Sequence, residues 1–384
     1  MKRSIFFLSF ILTATMGING CKVINDEIAI SPAKNLSGVT INTSVRKTGQ
    51  YPESFVITFE DDIKDSKLDP KMFTLAGKAG YWGSGKTRDF ECTFESVSVN
   101  GNTLTLVPAD FPEKFFYVKE YLVTCKDHPE YSFSNSDVTN IVTPVADDFK
   151  TFTNSDDVTF DYHLFTPAET EKKPIVIVFH GYGDTNNLLT YRTSVEWAEP
   201  ENQKVRPCYV LSPVIDDNTY LDTDGRYRIY TSIKGILDDM ISRGDVDPGR
   251  IYVMGNSMGG VATIEFCEKY PETVSAAMAL CPALSFVPGA KAELEKMKDV
   301  PIWFAHAAND NTVPVSDSRT AVTDLEDFGA KEVKFTEYTD EQMNAAGADN
   351  KPESTYSYHH VELVVMEDET YQEWLFEHKK SDRS

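Results

Sequence analysis

The sequence is short of basic residues: its 384 residues carry 37 Lys+Arg against 60 Asp+Glu, a net charge of −23. A field of that sign repels phosphate backbones, which argues against a nucleic-acid partner. No apolar run reaches the roughly 18 residues of a membrane-spanning helix. Six cysteines in so long a chain exclude a disulfide-dense miniprotein. No CxxC pair occurs and no histidine cluster adjoins a cysteine, so neither a metal centre nor a cofactor is expected. Internal repeats and low-complexity tracts are missing too. What is present is a globular composition, 41% hydrophobic and 12% aromatic, long enough for about two domains.

Lys2 and Arg3 precede an apolar stretch from Ile5 to Leu12, and Gly17-Ile18-Asn19-Gly20-Cys21 follows. The pattern predicts an export signal over residues 1–20. Cys21 behind a small residue resembles the lipidation site of bacterial lipoproteins, with Asn19 departing from the usual small residue. The expectation is an exported protein held at the membrane, on its periplasmic face or at the cell surface, only by lipid on Cys21. Residues 21–36 read as a tether. Cys92 and Cys125 fall in strand-like text, and a bridge between them stands beside two buried thiols as an equal reading.

Residues 37–145 read as short strands and turns. Val39–Thr43 alternates, as does Ser54–Phe59 more loosely, and Tyr121–Cys125 reads as a further strand. Val97–Val99 and Thr103–Val107 flank Asn100-Gly101, which predicts a hairpin with two positive φ angles in a type I′ turn. About seven such strands suggest an immunoglobulin-like β-sandwich. No residue set in this half looks catalytic; it is read as a spacer, an oligomer contact or a wall of the site.

Over 146–384 the pattern changes. Pro174–Phe179, Cys208–Leu211, Ile251–Met254, Ala276–Leu280 and Ile302–Ala305 are continuous apolar runs, as in strands buried on both faces. Tyr227–Gly244 carries a helical stripe through Ile229, Ile233, Leu237 and Met240. Further helices are expected at Ser318–Phe328 and Glu369–Lys379, with Val333–Tyr338 a strand. Alternating strands and helices predict a mainly parallel sheet covered on both faces.

Gly255-Asn256-Ser257-Met258-Gly259-Gly260 stands between a buried strand and helical text. That context makes Ser257 a candidate nucleophile on a strained turn, with Gly255 and Gly259 sparing the Cβ atoms that would clash there. A serine hydroxyl needs a histidine to take its proton and an acid to orient that histidine. Asp310 follows the strand ending at Ala305, at the edge where such sheets place their chemistry. Of the histidines beyond it, His378 suits a helix C-terminus. The base is His359, the first choice, or His360. His306 and His180 read as structural. An oxyanion would be held by the backbone N–H groups of Met258 and Tyr182.

With these residues in hand, the chain resembles α/β-hydrolase esterases that carry an N-terminal immunoglobulin-like domain, relatives of the phospholipase/carboxylesterase, feruloyl esterase and polyhydroxyalkanoate-depolymerase-like groups. His180-Gly181-Tyr182-Gly183, the run Asp247–Gly260, Asp310-Asn311-Thr312-Val313-Pro314 and Glu373-Trp374-Leu375-Phe376 carry the resemblance. These pieces span nearly all of residues 155–380; the sandwich matches by order and size only. The resemblance implies Ser257, Asp310 and a histidine about fifteen residues before Trp374, which is His359. It departs at Glu362, where the family often has tryptophan, and in the long polar stretch Glu341–Tyr358. The activity implied is serine ester hydrolysis through an acyl-enzyme, on small-molecule or polysaccharide-linked esters. A serine peptidase with the same three residues, or an inactive binding lipoprotein, are the alternatives.

Overall fold

The computed structural model of the protein describes residues 35–47, 49–64, 67–80, 87–109, 117–169, 172–287, 289, 293–351 and 356–382. The export signal, Cys21 and the tether up to residue 34 lie outside them.

The N-terminal half contains β1 Leu36–Arg46, β2 Gly49–Phe59, β3 Phe73–Gly80, β4 Thr87–Cys92, β5 Phe94–Asn100, β6 Thr103–Pro108, β7 Tyr117–Cys125, β8 Phe133–Ser134 and β9 Val138–Val142. Two sheets result, ordered β5-β6-β2-β1-β9 and β4-β3-β7-β8. All pairs are antiparallel except β1 with β9. In β1 alternate residues Val39, Ile41 and Val45 turn inward. Aromatic rings close the space between the sheets: Phe55 meets Tyr121 at 5.6 Å and Phe73 meets Phe94 at 6.3 Å.

The expected hairpin forms, but its turn is one residue further on. Asn100 pairs with Thr103, so the loop is Gly101-Asn102, and only Gly101 has a positive φ, +60°. One positive angle at the first loop position is a type II′ turn, and the glycine alone satisfies it. Cys92 and Cys125 are not bridged. They lie on strands that pair with opposite edges of β3, opposite Leu75 and Phe73, which holds their Cα atoms on the order of 12 Å apart.

The second half builds β10 Lys150–Asn154, β11 Phe160–Phe165, β12 Lys173–Phe179, β13 Tyr209–Pro213, β14 Val246–Asn256, β15 Ala276–Leu280, β16 Ile302–Ala307 and β17 Val333–Tyr338. Their order is β10-β11-β13-β12-β14-β15-β16-β17. From β13 to β17 every pair is parallel; β10 and β11 extend the sheet antiparallel. The helices are α1 Arg192–Ala198, α2 Pro200–Val205, α3 Asp217–Leu221, α4 Thr223–Arg243, α5 Met258–Lys269, α6 Ser316–Asp327, α7 Asp340–Ala345, α8 Glu362–Val365 and α9 Glu369–Glu377. This is the α/β-hydrolase architecture behind a pair of largely antiparallel sheets.

Alternation along the buried strands feeds two cores. Ile175, Ile177, Val253 and Phe304 face one helical layer with α4 and α5. Val176, Val178, Met254 and Ala305 face the other, with α1 and α9. That second core also takes in Val45 from β1, and Lys47 reaches Glu367 at 3.2 Å.

Helix α5 is buried along nearly its whole length and is locked to its neighbours by charge. Arg226 of α4 forks onto Glu265 of α5 at 2.8 and 2.9 Å, and also holds the Tyr220 carbonyl at 2.7 Å. The Tyr230 hydroxyl donates to the same carboxylate at 2.9 Å. Both partners are essentially inaccessible. Removing one leaves the other's charge buried and unpaired, which costs about 3–5 kcal/mol. Glu265→Ala is therefore expected to lose about that much in urea unfolding, and Arg226→Met combined with Glu265→Leu to recover most of it.

Candidate active site

Four parallel strands deliver their following residues to one edge of the sheet. Strand β14 ends at Asn256, and the chain then breaks sharply: Ser257 has φ +57° and ψ −116°, outside the ordinary regions for a residue with a side chain. Helix α5 begins at once, so Ser257 caps a helix N-terminus. The turn is tight because backbone fills the space around it. A Cβ on Gly259 would lie 2.1 Å from the Phe179 carbonyl oxygen and 2.7 Å from that of His180. On Gly255 it would lie 2.4 Å from the Gly259 oxygen. None of these atoms can swing aside as a side chain could. Gly259→Ala is expected to cost about 3 kcal/mol or more and to displace the loop after β12, seen as a lowered melting temperature with lost turnover.

That loop, His180 to Asp184, runs alongside the serine. A Cβ on Gly181 would lie 3.3 Å from Asn256 Nδ2 and 3.7 Å from Ser257 Cβ. His180 fastens the loop from beneath. Its Nε2 accepts from Ile215 N–H at 2.8 Å, so the proton resides on Nδ1, which donates to the Gly181 oxygen at 2.7 Å. The Tyr220 hydroxyl donates to the His180 oxygen at 2.6 Å. Burial pulls the His180 pKa down to about 4, only partly opposed by the Gly181 bond, so the ring stays neutral at physiological pH. Asp217 accepts from Gly183 N–H at 2.8 Å, and Asp184 accepts from Thr190. Tyr182, half-buried, lies within this loop, and Met258 occupies the first position of α5, where an N–H has no intrahelical acceptor.

Strand β16 leads to Asp310. Its side chain is inaccessible. Oδ1 accepts from the N–H groups of Thr312 at 2.8 Å and Val313 at 3.0 Å. Oδ2 lies 2.7 Å from Nδ1 of His359 and 3.2 Å from Nε2 of His306. Burial would raise the carboxyl, but the bonds from His306 and His359, the His359 charge and the Val313 N–H outweigh it and hold Asp310 well below the usual carboxylate range. His306 is fixed at both ends: Ser318 Oγ is 2.8 Å from Nδ1 and the Val313 oxygen 3.1 Å from Nε2.

The neighbour His360 faces elsewhere. Its Nδ1 meets Glu362 at 2.9 Å, and its ring packs near Tyr191 and Tyr356. Glu362, the departure from the family pattern, is thus a buried partner of His360. The polar stretch before the histidine contains α7, started by a capping box in which Thr339 and Gln342 exchange bonds. His378 closes α9, held between the Trp374 oxygen at 2.7 Å and Glu332 at 3.0 Å.

His306, read from the sequence as structural, braces the acid. One further residue belongs to this neighbourhood that spacing along the chain did not mark. Cys281, the residue after β15, has φ +35°, and its Sγ donates to the His359 oxygen at 3.2 Å. Ser257 N–H donates to the Leu280 carbonyl at 2.9 Å, and the Ser257 backbone carbonyl accepts from Ala283 N–H at 3.2 Å. Segment 280–283 therefore lies against both the serine and the histidine. The only advance signal was that Cys281 ends a buried strand next to β14.

The phospholipase/carboxylesterase family profile matches residues 214–347. No curated protein matches the chain by sequence. Among solved structures, the crystal structure of a thermostable esterase is 27% identical, with a TM-score of 0.69, covering 89% of this chain and 100% of its own. Est1E from Butyrivibrio proteoclasticus is 18% identical, with a TM-score of 0.43, over 60% of this chain and 98% of its own. The same esterase has been solved with ferulic acid, at a TM-score of 0.42, 18% identity, and 59% and 98% coverage.

Proposed function

We propose that this chain, whose residues 214–347 match the phospholipase/carboxylesterase family profile, hydrolyses carboxylic esters through Ser257, His359 and Asp310. The observation that carries the residue assignment is the 2.7 Å contact of Asp310 with His359, formed at the sheet edge where Ser257 stands on its strained turn. Ser257 Oγ attacks the ester carbonyl as His359 takes its proton. The imidazolium is steadied by Asp310, and the oxyanion is held by the N–H groups of Met258 and Tyr182. His359 then returns the proton to the leaving alcohol. Water, activated by the same histidine, releases the acid from the acyl-enzyme. The substrates proposed are short acyl or carbohydrate-linked esters, met outside the cytoplasm by a protein anchored through lipid on Cys21.

A panel of acetyl, butyryl, feruloyl and long-chain esters, run beside peptide amides, tests this reading together with a fluorophosphonate probe. The expected result is ester turnover and one probe per chain on Ser257. Peptide turnover above ester turnover, or no labelling of the folded protein, overturns it. His359→Gln is expected to lose about 10⁴-fold or more in kcat. His360→Asn, which removes the contact with Glu362 and the ring's packing beside Tyr191 and Tyr356, is expected to stay within about tenfold of the parent. The reverse ranking reassigns the base.

A further inference from the structure

Cys281 Sγ, a carboxylate oxygen of Asp310 and a ring nitrogen of His359 all lie within 4.8 Å of one another. The three residues come from the end of β15, the loop after β16 and the segment before α8. Neither sequence spacing nor any local motif announces this grouping: 78 and 49 residues separate His359 from the other two. We infer that they form a binding site for one borderline-soft divalent cation, Zn²⁺ or Cd²⁺, whose occupancy shuts down the proton relay.

The donor set decides the class of ion. One thiolate, one imidazole and one carboxylate are the ligands of zinc-like cations, whereas calcium and magnesium take oxygen alone. Zinc bonds of about 2.0–2.3 Å place tetrahedral donors somewhat under 4 Å apart, so rotations of the thiol and carboxylate moving each by about 1 Å suffice. Three protein donors leave the fourth position for water. On binding, the Cys281 S–H bond breaks as the sulfur–metal bond forms, and its proton passes to solvent; nothing is oxidised or reduced. Either ring nitrogen of His359 serves, with one result. Metal on Nδ1 displaces the bond to Asp310. Metal on Nε2 removes the electron pair that accepts the serine proton. Without the thiol, only a hydrogen-bonded Asp–His pair remains, which is no chelate.

The test uses the untagged full-length protein. Cd²⁺ titration is followed by thiolate-to-cadmium absorption, and Zn²⁺ inhibition by ester hydrolysis with chelator reversal. Absorption with one ion per chain is expected in the parent and in Ser257→Ala. This arm needs no turnover, so it stands or falls separately from the proposed activity. In Cys281→Ala that absorption is expected to vanish. Loss of a direct ligand costs at least the about 10–100-fold in affinity that loss of an outer-shell partner costs. Cys281→Ala and Cys281→Ser should each therefore need at least about 10-fold more Zn²⁺ to halve their own metal-free rates. Zinc inhibition equal in parent and both variants, or cadmium absorption that survives Cys281→Ala, overturns the site.

Discussion

Ser257→Ala is expected to lower kcat on a simple aryl ester by on the order of 10⁴ to 10⁶-fold, with no measurable loss of folded stability. The two halves of this expectation have separate reasons. In the mechanism proposed above, alanine removes the hydroxyl that would form the acyl-enzyme. What persists is the rate due to substrate positioning and oxyanion binding, on the order of 10³-fold over water. Structurally, the serine is a helix cap in position only, because its side chain makes no cap hydrogen bond to α5. Alanine therefore forfeits no capping energy. It inherits the same strain at φ +57°, since both residues carry a Cβ. Denaturant midpoint and turnover on one preparation check both halves. Turnover that survives the substitution would remove Ser257 from the mechanism.

The second large effect is at Asp310. Asp310→Asn is expected to reduce kcat by about 10⁴-fold, and the hydrogen bonds say how. Oδ1 accepts from two backbone N–H groups, so the asparagine carbonyl must take that place. Its NH₂ then faces Nδ1 of His359 and Nε2 of His306, both of which donate to the native carboxylate. His359 must shift its proton to Nε2, leaving nothing there to accept from the serine. His306 must also give up its donation to Val313, so stability falls as well. The pH dependence has a definite sign. Asp310 is held below its unfolded value, so its stabilising share is fully present above about pH 4 and is lost as pH falls below that. Urea midpoints of parent and variant should differ at pH 7 and converge toward pH 3. A gap that stays constant would mean that Asp310 carries no ionic role in the folded state.

Whatever depends on near neighbours in the chain could be read before the structure. The runs Ile175–Phe179 and Ile251–Met254 announce doubly buried strands, and Gly255 and Gly259 flank the serine where backbone leaves no room for a side chain. Elements that lean on distant partners were harder to read. Strand β3, Phe73–Gly80, ends in Ala-Gly-Lys-Ala-Gly and has little intrinsic strand preference; β4 and β7 on either side hold it extended. Strand β10 is almost wholly exposed at the sheet edge, so no burial pattern marks it. Helix α4 begins at Thr223, four residues ahead of the segment its apolar stripe marks, because Asp222 caps it; the cap is the signal a periodicity search passes over. His306 and Cys281 draw their roles from strand order, and nothing in their flanking residues encodes that order.

The inclusion of Val45 among the side chains beneath the large sheet has a practical consequence. A fragment begun near residue 146 would inherit an apolar scar: the core that shelters Ala146 and Phe149 would lose the β1 valine that belongs to it. It would also strip Glu367 of its lysine. The boundary convenient for cloning is therefore not one at which the molecule comes apart cleanly, and solubility after excision is the price of ignoring that seam.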